Sequence, residues 1–413
     1  MDKTVKKYSW MLILACFFVY TATICIKMVY SSEIGEIVTQ LGESKAKVGL
    51  GLTAYYVTYA ISQVVLAPFV KKVNMGFLMI STLVLSAILY AIIPFTTSLY
   101  SLWIILGLNG ILHASTWGGC MYFFGKSLPP ELNAPSCSVM SFGFIGGTVV
   151  SYVVAPVFIA KGWWKWTFLL FAVILMVSVI VFMIVEKRIE KVFKQLGVDN
   201  TKLKVENETL TKTERDTSQN RNVVLMVCYT TLAMLFIHIT YYIASSWFPV
   251  YLAEVFNMSS SYSVLVSVIL YIGAFVCTNA CIILSAKSKI KLSNIIKTVC
   301  AIALAASVVQ ALTYKNNLIL AMVVSTLLIS FTRATGTLSV SYLPLKTKNY
   351  INAATLSMIL NAAACIGAAF GPTVAGTVID NNGWSAYNIL MCAFYVVSFI
   401  TILLCTSKIK NQK

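Results

Sequence analysis

The chain has 413 residues, of which 59% are hydrophobic and 11% charged, against about 25% charged in a soluble globular protein. That is too little polar material to coat the two or three soluble domains this length would otherwise form. The net charge of +17 does not indicate a nucleic-acid partner, because the basic residues sit in short loops between apolar runs, the pattern of the positive-inside rule. The expected fold class is all-α and integral to the membrane, with the lipid bilayer as solvent for most of the chain.

A helix that spans the bilayer needs about 20 mostly apolar residues. Runs of that kind cover 9–30, 48–70, 76–96, 99–125, 134–160, 165–185, 222–252, 260–286, 291–313, 317–345, 350–379 and 385–406, which predicts twelve transmembrane helices. The first run follows Lys3, Lys6 and Lys7 but is too long for a signal h-region, so it reads as an uncleaved helix. Alternate loops and tails carry 23 Lys and Arg on one face against five on the other. That asymmetry predicts cytoplasmic N- and C-termini in a multi-pass protein of the plasma membrane. Between the sixth and seventh runs, 186–221 is polar and basic. Ile189, Val192, Phe193 and Leu196 share a helical face amid Lys187, Arg188, Lys191 and Lys194, which predicts a basic amphipathic helix on an anionic leaflet. The rest of the segment reads as a linker. The predicted division is a six-helix bundle over 1–185, a cytoplasmic linker over 186–221, and a second six-helix bundle over 222–413.

The halves echo one another at an offset of about 220. Tyr122 to Lys126 and Asn133-Ala134 match Tyr342 to Lys346 and Asn352-Ala353. Gly146 answers Gly367, and Gly162-Trp163 answers Gly383-Trp384. A parallel repeat of six helices predicts two pseudo-symmetric bundles with a substrate site near the midplane.

Leu108-Asn109-Gly110 through Trp117-Gly118-Gly119-Cys120, Trp247 to Leu252, and Val378-Ile379-Asp380 with Gly383-Trp384 resemble the organophosphate:phosphate antiporters of the major facilitator superfamily. These carry glycerol-3-phosphate and hexose-6-phosphate. The resemblance implies the major facilitator fold, and it implies substrate contacts at Lys27, at the position of a family arginine, and at Tyr20, which matches a family tyrosine. Other family positions differ. The helix-seven basic position falls at Tyr241 and the helix-two lysine at Gln63, the helix-five histidine is absent, and the 67–76 loop reads Ala67 to Lys72 without the acidic residue of the family signature. The fold therefore carries over more directly than phosphate as substrate.

Ionisable groups at bilayer depth are costly and mark function by default. Arg333 lies about 20 Å of helix from the next lysine, Lys346, too deep to reach the interface comfortably. Its fork suits a carboxylate or phosphate, the alternative being an arginine that caps carbonyls inside a bundle. His113 matches Arg333 at the repeat offset. It is a candidate to bind substrate or carry a proton, or else a histidine hydrogen-bonded across helices. Lys27 either faces the cavity or snorkels to the outer interface. His238, Tyr241 and Tyr242 share a helical face, a polar-aromatic cluster that suits sugar or anion pockets as well as plain packing. Trp247-Phe248-Pro249 marks a kink or an interface belt. Of the 14 acidic residues none lies mid-span, so basic groups at depth favour an anionic substrate. Gly143, Gly146, Gly147, Gly367, Gly371 and Gly376 permit close helix packing. The eleven cysteines show no zinc or disulfide spacing, and Cys277 and Cys281 read as small packing residues. No catalytic set is visible.

The expectation is a secondary active transporter and not an enzyme, functional as a monomer. It would move a small polar, anionic metabolite (a sugar phosphate or an organic or sugar acid) by alternating access, as an antiporter on the resemblance. The substrate would meet Lys27, Arg333, His113, Tyr20, Gln63, His238, Tyr241 and Tyr242, with no cofactor and no metal. The alternatives are a transporter-like sensor that signals to a partner and a drug or lipid exporter.

Overall fold

A computed structural model describes residues 3–66, 73–128, 130–195, 217–287, 290–339 and 353–410. The described chain is helical throughout: α1 Lys3–Ser32, α2 Ile34–Leu41, α3 Lys45–Leu66, α4 Met75–Ile92, α5 Leu99–Ser127, α6 Pro130–Ile159, α7 Trp164–Gln195, α8 Thr217–Phe256, α9 Ser260–Val266, α10 Val268–Lys287, α11 Leu292–Thr313, α12 Leu318–Thr337 and α13 Ala353–Lys410. In hydrocarbon no water satisfies backbone N–H and C=O groups, so apolar runs of this length must pair them internally. Polar side chains set several starts. Asn74 Oδ1 accepts from the Phe77 N–H, Ser98 Oγ from Tyr100, and Asn317 Oδ1 from Ile319 and Leu320, each meeting a donor that the first turn leaves over.

Among the described residues eleven helical stretches are long and apolar enough to cross a membrane. The last, Ala362–Thr406, has 45 residues, or about 68 Å of helix, twice a bilayer core of about 30 Å. Inside α13, Gly383 has φ 72° and ψ −172°, which breaks the helix into two arms and makes twelve crossings. Gly162, its partner in the repeat, has φ 70° at the end of α6. Both sites use the positive φ that a Cβ disfavours, so the Gly-Trp echo is a shared turn.

The chain packs as two compact units, Met1–Tyr30 with Thr58–Thr213 and Ser31–Val57 with Glu214–Lys413. The chain order 1–185, 186–221 and 222–413 is thus crossed by one exchange: α2 and the first half of α3 pack with the second unit. The first unit joins α4 to α5 and α7, and α6 to α7; the second joins α8 to α13 most extensively, and α12 to α8, α10 and α11. Outward faces are apolar, as with Phe77 at 72% and Leu312 at 76% exposure, which suits lipid.

The basic segment after the sixth crossing is not a separate surface helix. α7 runs unbroken to Gln195, with Ile189 buried and Lys187, Arg188 and Lys191 exposed. The apolar spacing continues that of the span, so nothing in the sequence ends the helix there. Residues 217–221 likewise belong to α8. The rest of the linker, Ala67 to Lys72, and Tyr342 to Lys346 with Asn352 lie outside the described residues.

The glycines set the closest helix crossings. A Cβ on Gly147 would lie 2.7 Å from the Thr21 carbonyl oxygen, and one on Gly143 2.9 Å from Thr21 Oγ1. In the second unit a Cβ on Gly367 would lie 2.8 Å from the Ile239 nitrogen and one on Gly371 3.0 Å from the Ile239 oxygen. Gly146 meets nothing within 4 Å, so Gly147 and Gly143 carry the contact in the first unit. Trp247 is neither exposed nor at an interface belt: it is fully buried, and its Nε1 donates to the Pro372 carbonyl at 2.8 Å.

Candidate functional site

In the second unit, Arg333 on α12 reaches α8. Its Cζ stands 5.4 Å from the centre of the Tyr241 ring, within cation–π distance. Its charge also acts on His238 and Tyr242. The three α8 residues fall on one side because spacings of three and four return to the same helical face. Tyr241 and Tyr242 meet edge to face at 5.3 Å, and His238 and Tyr242 lie 6.5 Å apart. His238 Nδ1 donates to the Met234 carbonyl at 2.9 Å. In the neutral ring this leaves Nε2 as an acceptor, on the side of α12 at Gly336. Arg333 is partly buried and Tyr241 beneath it is 5% exposed. Arg333, His238, Tyr241 and Tyr242 are thus brought together.

Tyr56 of α3 joins them, a residue that sequence reasoning did not single out. Its ring lies 5.2 Å from that of Tyr242, the two hydroxyls share a hydrogen bond, and Tyr55 packs on Tyr56 at 5.2 Å. The paired tyrosines in the second apolar run were the available signal.

The first unit holds a second cation. Lys27 on α1 places Nζ 5.5 Å from the centre of the Tyr59 ring, and Gln63, one turn on, donates from Nε2 to the Tyr59 hydroxyl at 2.9 Å. Tyr59, also missed, joins Lys27 to Gln63. Tyr20 lies tilted against Trp117, with ring centres 5.3 Å apart, beside Gly143.

His113 is 1% exposed and belongs to a buried chain between α4 and α5. Asn109 Nδ2 donates to the Ile105 carbonyl at 2.8 Å, which turns Oδ1 to Ser86. Ser86 gives its one proton to that oxygen at 2.5 Å, so His113 Nε2 donates to Ser86 Oγ at 2.8 Å. His113 and Arg333 therefore occupy different environments, one against α4 within its bundle and the other against α8. The charge of Lys27 still acts on His113. Glu33, which the sequence places at the outer end of the first run, is fully buried where α1 turns into α2. Among the described residues no group of three His, Cys, Asp or Glu side chains is placed to hold a metal ion.

The Major Facilitator Superfamily model matches residues 12–359, most of the chain. The chain belongs to this superfamily. No curated protein matches it by sequence. Among solved structures it is similar to a point mutant of the nucleoside transporter NupG, with TM-score 0.70 and 12% identity over 96% of this chain and 99% of that one. It is also similar to a bacterial homolog of the human lysosomal transporter Spinster in its inward-facing, unoccupied conformation, with TM-score 0.66 and 16% identity over 97% and 95%. At these identities the likeness shows the fold. Family and fold together make this a multi-pass membrane transporter of the superfamily, not an enzyme.

Proposed function

We propose that the chain is a secondary active transporter of a small polar anion, a sugar phosphate or an organic or sugar acid, working by alternating access in the plasma membrane with both termini cytoplasmic. The observation that carries this reading is the Arg333 cluster. A guanidinium inside a membrane span lies over Tyr241, with the His238 acceptor and the Tyr242 hydroxyl beside it. A fork held this way offers parallel donors to a carboxylate or phosphate, and the neighbouring polar groups suit a hydroxylated body. In the first unit, taken by itself, Lys27 over Tyr59, with Gln63 on the same tyrosine, is a further positive group at bilayer depth. Positive charge at that depth favours an anion by complementarity. Antiport by exchange fits a partly buried cation that an incoming anion re-neutralises as the outgoing one leaves.

The test is a thermal-shift screen of the purified protein in detergent with inorganic phosphate, sugar phosphates, sugar acids, dicarboxylates, nucleosides, neutral sugars and cationic drugs. Stabilisation by one anion class, lost in Arg333→Gln, is the expected result. Stabilisation only by nucleosides, neutral sugars or cationic compounds would overturn the anion reading.

A further inference from the structure

The second unit contains a cavity between α8, α11, α12 and the second arm of α13, and every residue that lines it is buried. Five of these residues are polar: Ser307 and Gln310 of α11, Ser325 of α12, and Tyr387 and Asn388 of α13. Tyr251 of α8, also on the wall, is fixed in place. Its hydroxyl donates to the Tyr314 carbonyl at 2.5 Å, and the Trp384 ring lies 5.3 Å from its ring and 5.1 Å from that of Tyr387. No residue of the Arg333 cluster lines the cavity. On α12, Ser325 precedes Arg333 by about 12 Å of helix.

Bonds within the protein use only part of the polar capacity of these side chains. Ser325 gives its proton to Gln310 Oε1 at 2.8 Å, which leaves both hydrogens on Gln310 Nε2. Ser307 gives its proton to the Leu304 carbonyl at 2.7 Å. Asn388 Nδ2 donates to the Trp384 carbonyl at 2.8 Å, which leaves Oδ1 with its lone pairs. Among the described residues Gln310 Nε2, Asn388 Oδ1 and the Tyr387 hydroxyl make no hydrogen bond. Leaving such groups unbonded at bilayer depth is costly, and here a donor, an acceptor and a hydroxyl belong to the wall of one small space.

The wall also selects the occupant. It carries no charged side chain, so neither an anion nor a metal cation would be compensated there. Donors and acceptors together suit a neutral molecule that both gives and takes hydrogen bonds. The cavity offers the centre of a water molecule about 20 Å³. About 10–15 Å³ is enough for one water, and an organic ligand does not fit.

We propose that this cavity is a hydration site, in which one ordered water bridges Gln310, Asn388 and Tyr387 and ties α11 to α13 inside the second unit. Through Ser325, which donates to Gln310, α12 joins the same network. The site is independent of what the transporter carries.

The test is hydroxyl-radical footprinting of the purified protein in detergent, by brief X-ray radiolysis and mass spectrometry. The radicals form from water and oxidise side chains that touch it. The probes are Tyr387 and Met391, which line the cavity; the comparisons are Tyr395 and Met234 of the same unit, likewise buried but not on its wall. Tyr387 and Met391 should be oxidised about tenfold faster than Tyr395 and Met234. Their rate should fall to that of the comparison residues in Asn388→Leu, which puts an apolar group of similar size in place of the amide. After rapid mixing with heavy-oxygen water, the exposed Tyr262 should take up the heavy isotope before Tyr387 does. Oxidation of Tyr387 and Met391 no faster than that of Tyr395 and Met234 would show a dry cavity and overturn the proposal. So would heavy oxygen reaching Tyr387 as early as Tyr262, since the water would then be bulk solvent entering through an opening. Should Asn388→Leu fail to fold, Gln310→Met makes the same comparison, and parent-like oxidation of Tyr387 in the variant that folds would equally overturn the assignment.

Discussion

Replacing Arg333 by glutamine tests the centre of the proposed site. The guanidinium lies over Tyr241, 5.4 Å from the ring centre, and such a group can give two parallel charge-assisted hydrogen bonds to an anion. At about 1.5 kcal/mol each, their loss weakens binding by about 3 kcal/mol, roughly a 150-fold rise in Kd. A ligand at 100 times its parent Kd stabilises the protein by about 2.7 kcal/mol; after that rise the same concentration contributes only about 0.3 kcal/mol. Arg333→Lys keeps the charge but not the fork. A rise of about tenfold in Kd would leave about 1.4 kcal/mol of stabilisation. Glutamine also loses the cation–π contact, worth roughly 0.5–2 kcal/mol. The readout is therefore the ligand-dependent difference within each variant, in which the baseline cancels. Full stabilisation of Arg333→Gln by the same anion that stabilises the parent would refute the assignment.

Three further outcomes follow from packing. Gly147→Ala should destabilise by about 1–3 kcal/mol through overpacking against Thr21, while Gly146→Ala, whose Cβ meets nothing within 4 Å, should be neutral; paired thermal unfolding of the two separates contact from helix propensity. Trp247→Phe removes the donor to the Pro372 carbonyl and should cost about 1–2 kcal/mol, read as a lower unfolding temperature. Asn109→Leu leaves Ser86 and His113 without the acceptor that orders them. It should cost about 1–3 kcal/mol in the same measurement, with anion stabilisation retained, since no residue of the Arg333 cluster is touched.

The fold was legible because lipid imposes a coarse rule: a run of about twenty apolar residues must be a helix, and Gly162 and Gly383 mark equivalent turns. The extent of α7 was not legible, since basic residues after an apolar run suit both a surface helix and a helix that simply continues. Membership of Ser31–Val57 in the second unit was also hidden. It depends on Gly49, Thr53 and Lys45 finding Thr373, Ala369 and Asp380 more than 300 residues away, and no local pattern encodes such a pairing. Within the site, Arg333 with Tyr241, Tyr242 and His238 followed from depth and helical spacing. Tyr59 and Tyr56 were missed because a tyrosine in an apolar run looks the same whether it packs or holds a cation.

The repeat explains both what it located and what it did not. In each unit a helix crosses its neighbour at backbone distance through glycines, Gly143 and Gly147 against Thr21, and Gly367 and Gly371 against Ile239. The residues just before these contact points are Tyr20 and His238, so the scaffolds are equivalent there. The cations are not equivalent. Lys27 comes from α1 itself and rests on α3, whereas Arg333 comes from α12 and rests on α8. The position that matches Arg333 by offset, His113, is hydrogen-bonded to Ser86 of α4, which in turn donates to Asn109. Backbone crossings depend on small residues at fixed spacing, and duplication preserves them. A side chain's partner depends on one helical face, and a rotation of a single residue sends it to a different helix. An offset between repeats can therefore find the close helix crossings of such a transporter, while its charges have to be found one by one from depth and neighbours.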